Sequence, residues 1–169
     1  MKDITIQDLF EVGTTFESTI GDGSKSERAR IPKNYSRINL SEDLVNEITS
    51  IDFEVNFLVS GEIWCPDFQL NATVLKKFCD LNTNFNMSVI TMSRGIKFLC
   101  PILNIDKENF KAPTIVVLDK KFNILGTFIE RPRLVKIVPD YETIKMDYLK
   151  GKYLLDTTSE ILDIVAKGY

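Results

Sequence analysis

Histidine is absent from this chain of 169 residues, and cysteine occurs only three times, as Cys65, Cys79 and Cys100. Without histidine there is no Ser–His or Cys–His nucleophile and no His-ligated zinc, and three dispersed cysteines fall short of a Cys₄ zinc site. An odd cysteine count also argues against a disulfide-stapled secreted fold. No apolar run approaches the ~18 residues of a membrane span. The start, Met1-Lys2-Asp3-Ile4-Thr5, lacks the long apolar block of a secretory leader, so the cytoplasm is the expected location. The net charge of −3 provides no excess of positive charge for nucleic acid or an anionic membrane. No strand is followed by a glycine-rich phosphate loop. Asp106, Glu108 and Asp119 are scattered acids that do not form a calcium or magnesium loop. Any general base must be a carboxylate, lysine, tyrosine or water.

What is present fits one domain with a full core, residues 1–169, because 44% of the chain is apolar and 27% charged. Residues 5–20 have the spacing of an amphipathic helix through Ile6, Leu9, Phe10, Phe16 and Ile20, with Thr5 and Asp8 as a capping box. Residues 21–37 carry Lys25, Arg28, Arg30, Lys33 and Arg37 among few apolar side chains. They read as a solvated loop, with an anion- or partner-binding arm as the alternative. Ser41 caps a second helix. Strands are expected over 55–59, 87–92 and 114–118, with 122–129 returning as a hairpin partner after Asp119-Lys120-Lys121. A helix over 66–79 separates the first two strands, which makes them parallel. Helices are also expected over 93–103 and near Tyr141–Leu149. Thr157 and Glu160 read as a capping box for a last helix. The core therefore spans about 50–130, with helical extensions over 1–49 and 131–169.

Trp64-Cys65-Pro66-Asp67-Phe68 carries the chemistry. Cys65 falls between an apolar strand and a helix, where free N–H groups and the positive end of the helix dipole favour a thiolate. Pro66 suits the first helical position. Asp67 suits a helix start too, but its charge opposes thiolate formation, so no extreme acidity is expected of Cys65. Trp64 offers an apolar wall beside the sulfur. Phe68 offers a ring that either shields the sulfur or widens a docking patch.

Trp64-Cys65-Pro66-Asp67, together with Ala112-Pro113-Thr114 at the head of the Ile115-Val116-Val117-Leu118 strand, resembles the thioredoxin family. The Cys-Pro-Asp spelling is similar to a bacterial branch of that family carrying Trp-Cys-Pro-Asp-Cys. The resemblance implies an α/β thioredoxin-like fold, a central mixed sheet flanked by helices with extra helices at both termini. It also implies a cis Pro113 that presents the backbone of Ala112 to an extended peptide. Trp64, Pro66, Asp67, Phe68, Ala112, Pro113 and Thr114 are then the substrate-binding residues around a catalytic Cys65. No metal or cofactor is called for. Common members keep a buried carboxylate six residues before the first cysteine, where this chain has Val59, so that proton relay looks absent.

Phe68 is the departure, because it stands where the family places its resolving cysteine. Cys79 lies fourteen residues along the same helix, roughly 20 Å away at about 1.5 Å per residue. A disulfide needs Cα atoms within ~7 Å, so Cys79 is expected to be a buried small apolar side chain. Cys100 follows the second strand, and its distance from Cys65 stays open. Two readings result. In one, Cys65 acts as a monothiol on a protein disulfide or a low-molecular-weight thiol adduct, and an outside thiol resolves the product. In the other, the fold is a redox-inactive module that holds a peptide or protein partner beside Pro113.

Overall fold

The computed structural model describes residues 2–169. The chain opens with α1 (Ile6–Val12), α2 (Phe16–Gly21), α3 (Lys25–Ser36) and α4 (Glu42–Thr49). Then β1 (Val55–Ser60), α5 (Pro66–Leu81) and β2 (Phe85–Ile90) form a strand–helix–strand unit. A broken helical stretch follows through α6 (Met92–Arg94), a π-helical turn over Gly95–Leu99 and α7 (Cys100–Leu103). It leads into β3 (Thr114–Asp119) and β4 (Ile124–Ile129), and the tail holds α8 (Arg133–Lys136), α9 (Lys145–Leu149) and α10 (Leu154–Val165). The sheet order is β2-β1-β3-β4. β1 runs parallel to β2 and antiparallel to β3, which is antiparallel to β4. This is the mixed, helix-flanked sheet that the sequence implied. Among the described residues no helix is long and apolar enough to cross a membrane.

All six residues of β1 and the first five of β3 are buried. That explains why these strands read as continuous apolar runs: both faces of the sheet are covered. Phe57, Val59, Ile115 and Val117 point to one face, where they pack with Phe68, Leu75 and Phe78 of α5 and Ile161 and Val165 of α10. Leu58, Val116 and Leu118 point to the other, with Leu9, Ile90, Leu99, Cys100 and Phe110. On the α5 face, Phe57 stacks on Phe85 with centroids 5.6 Å apart, and Phe78 meets both rings edge-on at 6.0 and 5.4 Å.

Four expectations about the flanks need correction. The helix over 5–20 is two helices, because Thr14 leaves the helical path and exchanges backbone hydrogen bonds of 2.8 and 2.9 Å with Val89 on the outer edge of β2. Those bonds satisfy edge groups that a continuous helix would leave open. The solvated loop over 21–37 is largely the helix α3. Ser24 and Glu27 form its capping box, and Asn34, buried, donates to the Gln69 carbonyl at 3.0 Å. Its polar composition and Pro32 concealed a helix held by α5 rather than by an apolar stripe of its own. Thr157 and Glu160 are not a capping box. α10 begins three residues earlier, Thr157 is buried inside it and donates to Asn71, and Glu160 accepts from the Arg133 amide. The helix over 93–103 is interrupted by the π-helical turn, in which Cys100 N–H bonds to Gly95 oxygen one residue before Pro101.

Phe57 has no exposed surface and sits between two aromatic partners. Phe57→Ala is therefore expected to lower unfolding stability by about 3–5 kcal/mol. Denaturant titration checks this, and a loss below about 1 kcal/mol would contradict the packing described.

Candidate functional site

The site starts where β1 ends. The loop from Gly61 to Trp64 is tied down on two sides: the Gln69 side chain donates to Ile63 oxygen at 2.7 Å, and Glu62 accepts from the Met92 amide at 3.0 Å. Cys65 then takes the N-cap position of α5 with extended backbone, and Pro66 opens the helix. The Cys65 thiol faces the Ala112 carbonyl oxygen across 3.8 Å and donates to it. The Ala112–Pro113 peptide is cis. Pro113 and Thr114 are buried, whereas Ala112 is half-buried and precedes the ladder of β3. Thr114 donates to Lys111 oxygen at 2.6 Å, and the Glu130 amide donates to Pro113 oxygen at 2.8 Å, which together brace this crossing. Sequence positions 65 and 112 thus meet because β1 and β3 are neighbours, with Ser60 opposite Thr114.

Cys65 is only 7% exposed. Burial pushes its thiol pKa above the ordinary value. The amides of Phe68 and Asp67 at the helix mouth act the other way, while the Asp67 and Glu130 carboxylates add to the rise. Val59, fully buried, supplies no proton-relay carboxylate. Trp64 is 61% exposed and stands out into solvent beside the thiol.

Phe68 does not extend a docking patch: its side chain has no exposed surface. The ring lies against Gly61, where an added Cβ would come within 2.6 Å of Phe68 Cδ2, and near the Phe16 ring at 6.2 Å. The position of a resolving cysteine is therefore filled by a core aromatic, which offers the sulfur its backbone amide and not its side chain. The other two cysteines stay away. Cys79 lies near the far end of α5, half-buried rather than fully buried, with its pKa pushed up by burial to about 12. Cys100 is buried in the cluster on the opposite face of the sheet, which closes its route to Cys65. Among the described residues no group of three His, Cys, Asp or Glu side chains could hold a metal ion.

Sequence reasoning missed the surroundings of Asp67. Its carboxylate accepts from Arg131 Nε at 3.0 Å and from the Tyr148 hydroxyl at 2.7 Å. Arg131 also pairs with Glu130 at 3.6 Å, and its guanidinium lies 3.8 Å from the centroid of the Tyr141 ring. Buried Asn71 donates to the Tyr148 hydroxyl and to Glu130 oxygen, and accepts from Thr157 of α10 at 2.8 Å. Two turns of α5 are thereby pinned to the C-terminal helices. Tyr148 was legible only as a helix-core residue, and nothing in the spacing of Arg131 pointed to Asp67.

The sequence profile described as Thioredoxin matches residues 13–143. The chain belongs to the thioredoxin family. The match reaches well outside the central 50–130 and takes in α2, α3 and α4. The crystal structure of a protein of unknown function from Pseudomonas aeruginosa is similar over 100% of both chains, at 28% identity and a TM-score of 0.90. A crystal structure described as an HIV epitope-scaffold is similar over 96% of this chain and 98% of its own, at 28% identity and a TM-score of 0.89. No curated protein sequence matches.

The charge arrangement around the Cys65 thiol at the start of α5 is testable. Asp67→Asn removes a carboxylate that raises the Cys65 pKa and leaves Arg131 in place. The pH midpoint of Cys65 alkylation is expected to fall relative to the parent protein; an unchanged or higher midpoint would contradict the electrostatics.

Proposed function

We propose that this protein carries out thiol–disulfide exchange through Cys65 alone, in a thioredoxin fold whose resolving position is occupied by Phe68. The observation that carries this reading is the sulfur at the mouth of α5, 3.8 Å from the Ala112 carbonyl oxygen, with no second cysteine on its side of the helix start. The Cys65 thiolate attacks one sulfur of a substrate disulfide. A Cys65–substrate disulfide forms as the substrate S–S bond breaks, and the other substrate sulfur leaves as a thiolate and takes up a proton. A low-molecular-weight or protein thiol then attacks the mixed disulfide, releasing Cys65 as thiol and leaving its own sulfur bonded to the substrate. One disulfide is consumed and one produced, so the cycle needs no electron donor. The spelling Trp64-Cys65-Pro66-Asp67 fits the branch with Trp-Cys-Pro-Asp-Cys, with its second cysteine replaced.

A second reading has its own support. Cys65 is 7% exposed with a raised pKa, and Phe68 is locked in the core, which suits a binding module that holds an extended segment beside Trp64, Ala112 and Pro113. Phe68 takes no part in that surface.

The experiment is reaction with an aromatic disulfide reporter and with a thiol alkylator at neutral pH. Exchange predicts release of one leaving thiol per chain from the folded protein, loss of that release in Cys65→Ser, and regeneration by an added small thiol. Because the Cys65 pKa is raised, the rate should climb as pH rises through and above the ordinary thiol range of about 8.5. Cys65 should label well before Cys79 and Cys100. Equal slow labelling of all three, with partner capture retained in Cys65→Ala, would favour the binding module instead. Rapid dithiol-type reduction of insulin would contradict both readings.

A further inference from the structure

Beside the thiol site, and separate from it, lies a groove of about 390 Å³ between α3, the first turns of α5 and α9. Arg30, Lys33, Arg37 and Lys150 line it, and no aspartate or glutamate does. In a chain of net charge −3 this is a local inversion of sign. Among the described residues the ion pairs engage Lys76, Arg131, Lys145 and Lys152, and none of the four groove cations. Arg37 reaches only neutral partners, Asn34 Oδ1 at 3.4 Å and Leu149 oxygen at 3.5 Å. Four like charges around one depression repel one another unless an anion joins them.

The floor mixes Leu70 and Leu149 with the buried polar side chains of Asn34 and Gln69, and Met146 at the rim is 63% exposed. The walls are tied together. Asn34 ties α3 to α5 at the Gln69 carbonyl, and Gly151, with φ of +84°, turns the chain just after Lys150; a Cβ there would come within 3.1 Å of Arg37 Cδ. A compact anion is usually held by buried, convergent donors. Here Arg30, Lys33 and Lys150 are exposed, and the buried amide of Asn34 is already used. Long exposed cations around a floor that includes Leu70 and Leu149, with exposed Met146 at the rim, instead match a chain that carries carboxylates on either side of an apolar residue.

We infer that this groove docks an acidic segment of a protein partner, with an apolar side chain seated over Leu70 and Leu149 and carboxylates meeting Arg30, Lys33, Arg37 and Lys150. Pro66, which follows Cys65 at the start of α5, forms part of the wall, so the groove adjoins the thiol site through that residue. The docking does not rest on exchange chemistry and serves either reading of the thiol.

The test is fluorescence anisotropy with a labelled peptide of glutamates around a central leucine, titrated with the full chain. Peptides with serine or lysine in place of glutamate serve as controls. The acidic peptide is expected to bind alone, and its affinity to fall about tenfold or more between roughly 0.05 and 0.5 M salt. The double variant Arg30→Glu, Lys33→Glu should weaken it about tenfold or more. Lys25→Glu with Arg28→Glu, on the same helix but outside the groove, should leave it within about threefold. Lys150→Glu provides an independent disruption from α9's end if the double variant fails to fold. Equal weakening by the groove and control variants, binding of the neutral peptide as tight as that of the acidic one, or complete displacement by free glutamate would overturn the proposal. Salt-sensitive binding of the acidic peptide by a parent protein that shows no Cys65-dependent exchange would leave the groove standing and sink only the thiol reaction; Cys65-dependent exchange by a protein that does not bind the acidic peptide would do the reverse.

Discussion

A sheet whose two middle strands carry apolar side chains on both faces must be covered twice, and the rest of this molecule follows from that constraint. Phe57, Val59, Ile115 and Val117 require α5 and α10 on one side. Leu58, Val116 and Leu118 require α1 and the broken helical stretch after β2 on the other. Hydrophobic burial at roughly 25 cal/mol per Å² makes either face costly to leave open. The same two-layer covering separates the cysteines. Cys65 belongs to the α5 face and Cys100 to the opposite one, with a hydrogen-bonded sheet between them. The single-thiol character of the site is thus a consequence of topology as well as of the residue at position 68.

The site itself balances opposed effects at close range. The start of α5 directs amides toward the sulfur, but burial and two nearby carboxylates outweigh them and raise the pKa of the thiol. The proton also has an acceptor, the Ala112 carbonyl oxygen. Arg131 and Tyr148 occupy the Asp67 carboxylate and anchor the helix start to the C-terminal helices. The extensions are therefore structural parts of the thiol site and of the basic groove, since α3 and α9 form that groove and α9 supplies Tyr148.

Much of the centre was legible. The apolar runs of β1 and β3, Cys65 before Pro66, and Ala112-Pro113 before a β-branched strand each carry a local signal that survives folding. The flanks were less legible because their order is imposed from outside. α3 buries only Ile31 and Asn34, so no periodic stripe marks it, although Ser24 and Glu27 spelled its start. The break at Gly13–Thr15 reflects the open edge of β2, which lies more than seventy residues downstream. Phe68 was visible as a substitution, but whether its ring faced solvent or core depended on Gly61 across the loop.

By itself, the sequence determined the order of the four strands with α5 between the first two, the helix-mouth position of Cys65 and the absence of a second cysteine beside it, because these rest on periodicity, capping chemistry and residue identity within a few positions. Only the tertiary structure decided that Ala112 reaches the sulfur, that Arg131 and Tyr148 hold Asp67, and that four cations share a groove without a carboxylate. Each of these joins side chains from separate elements, and their distances are set by how the two faces of the sheet are covered.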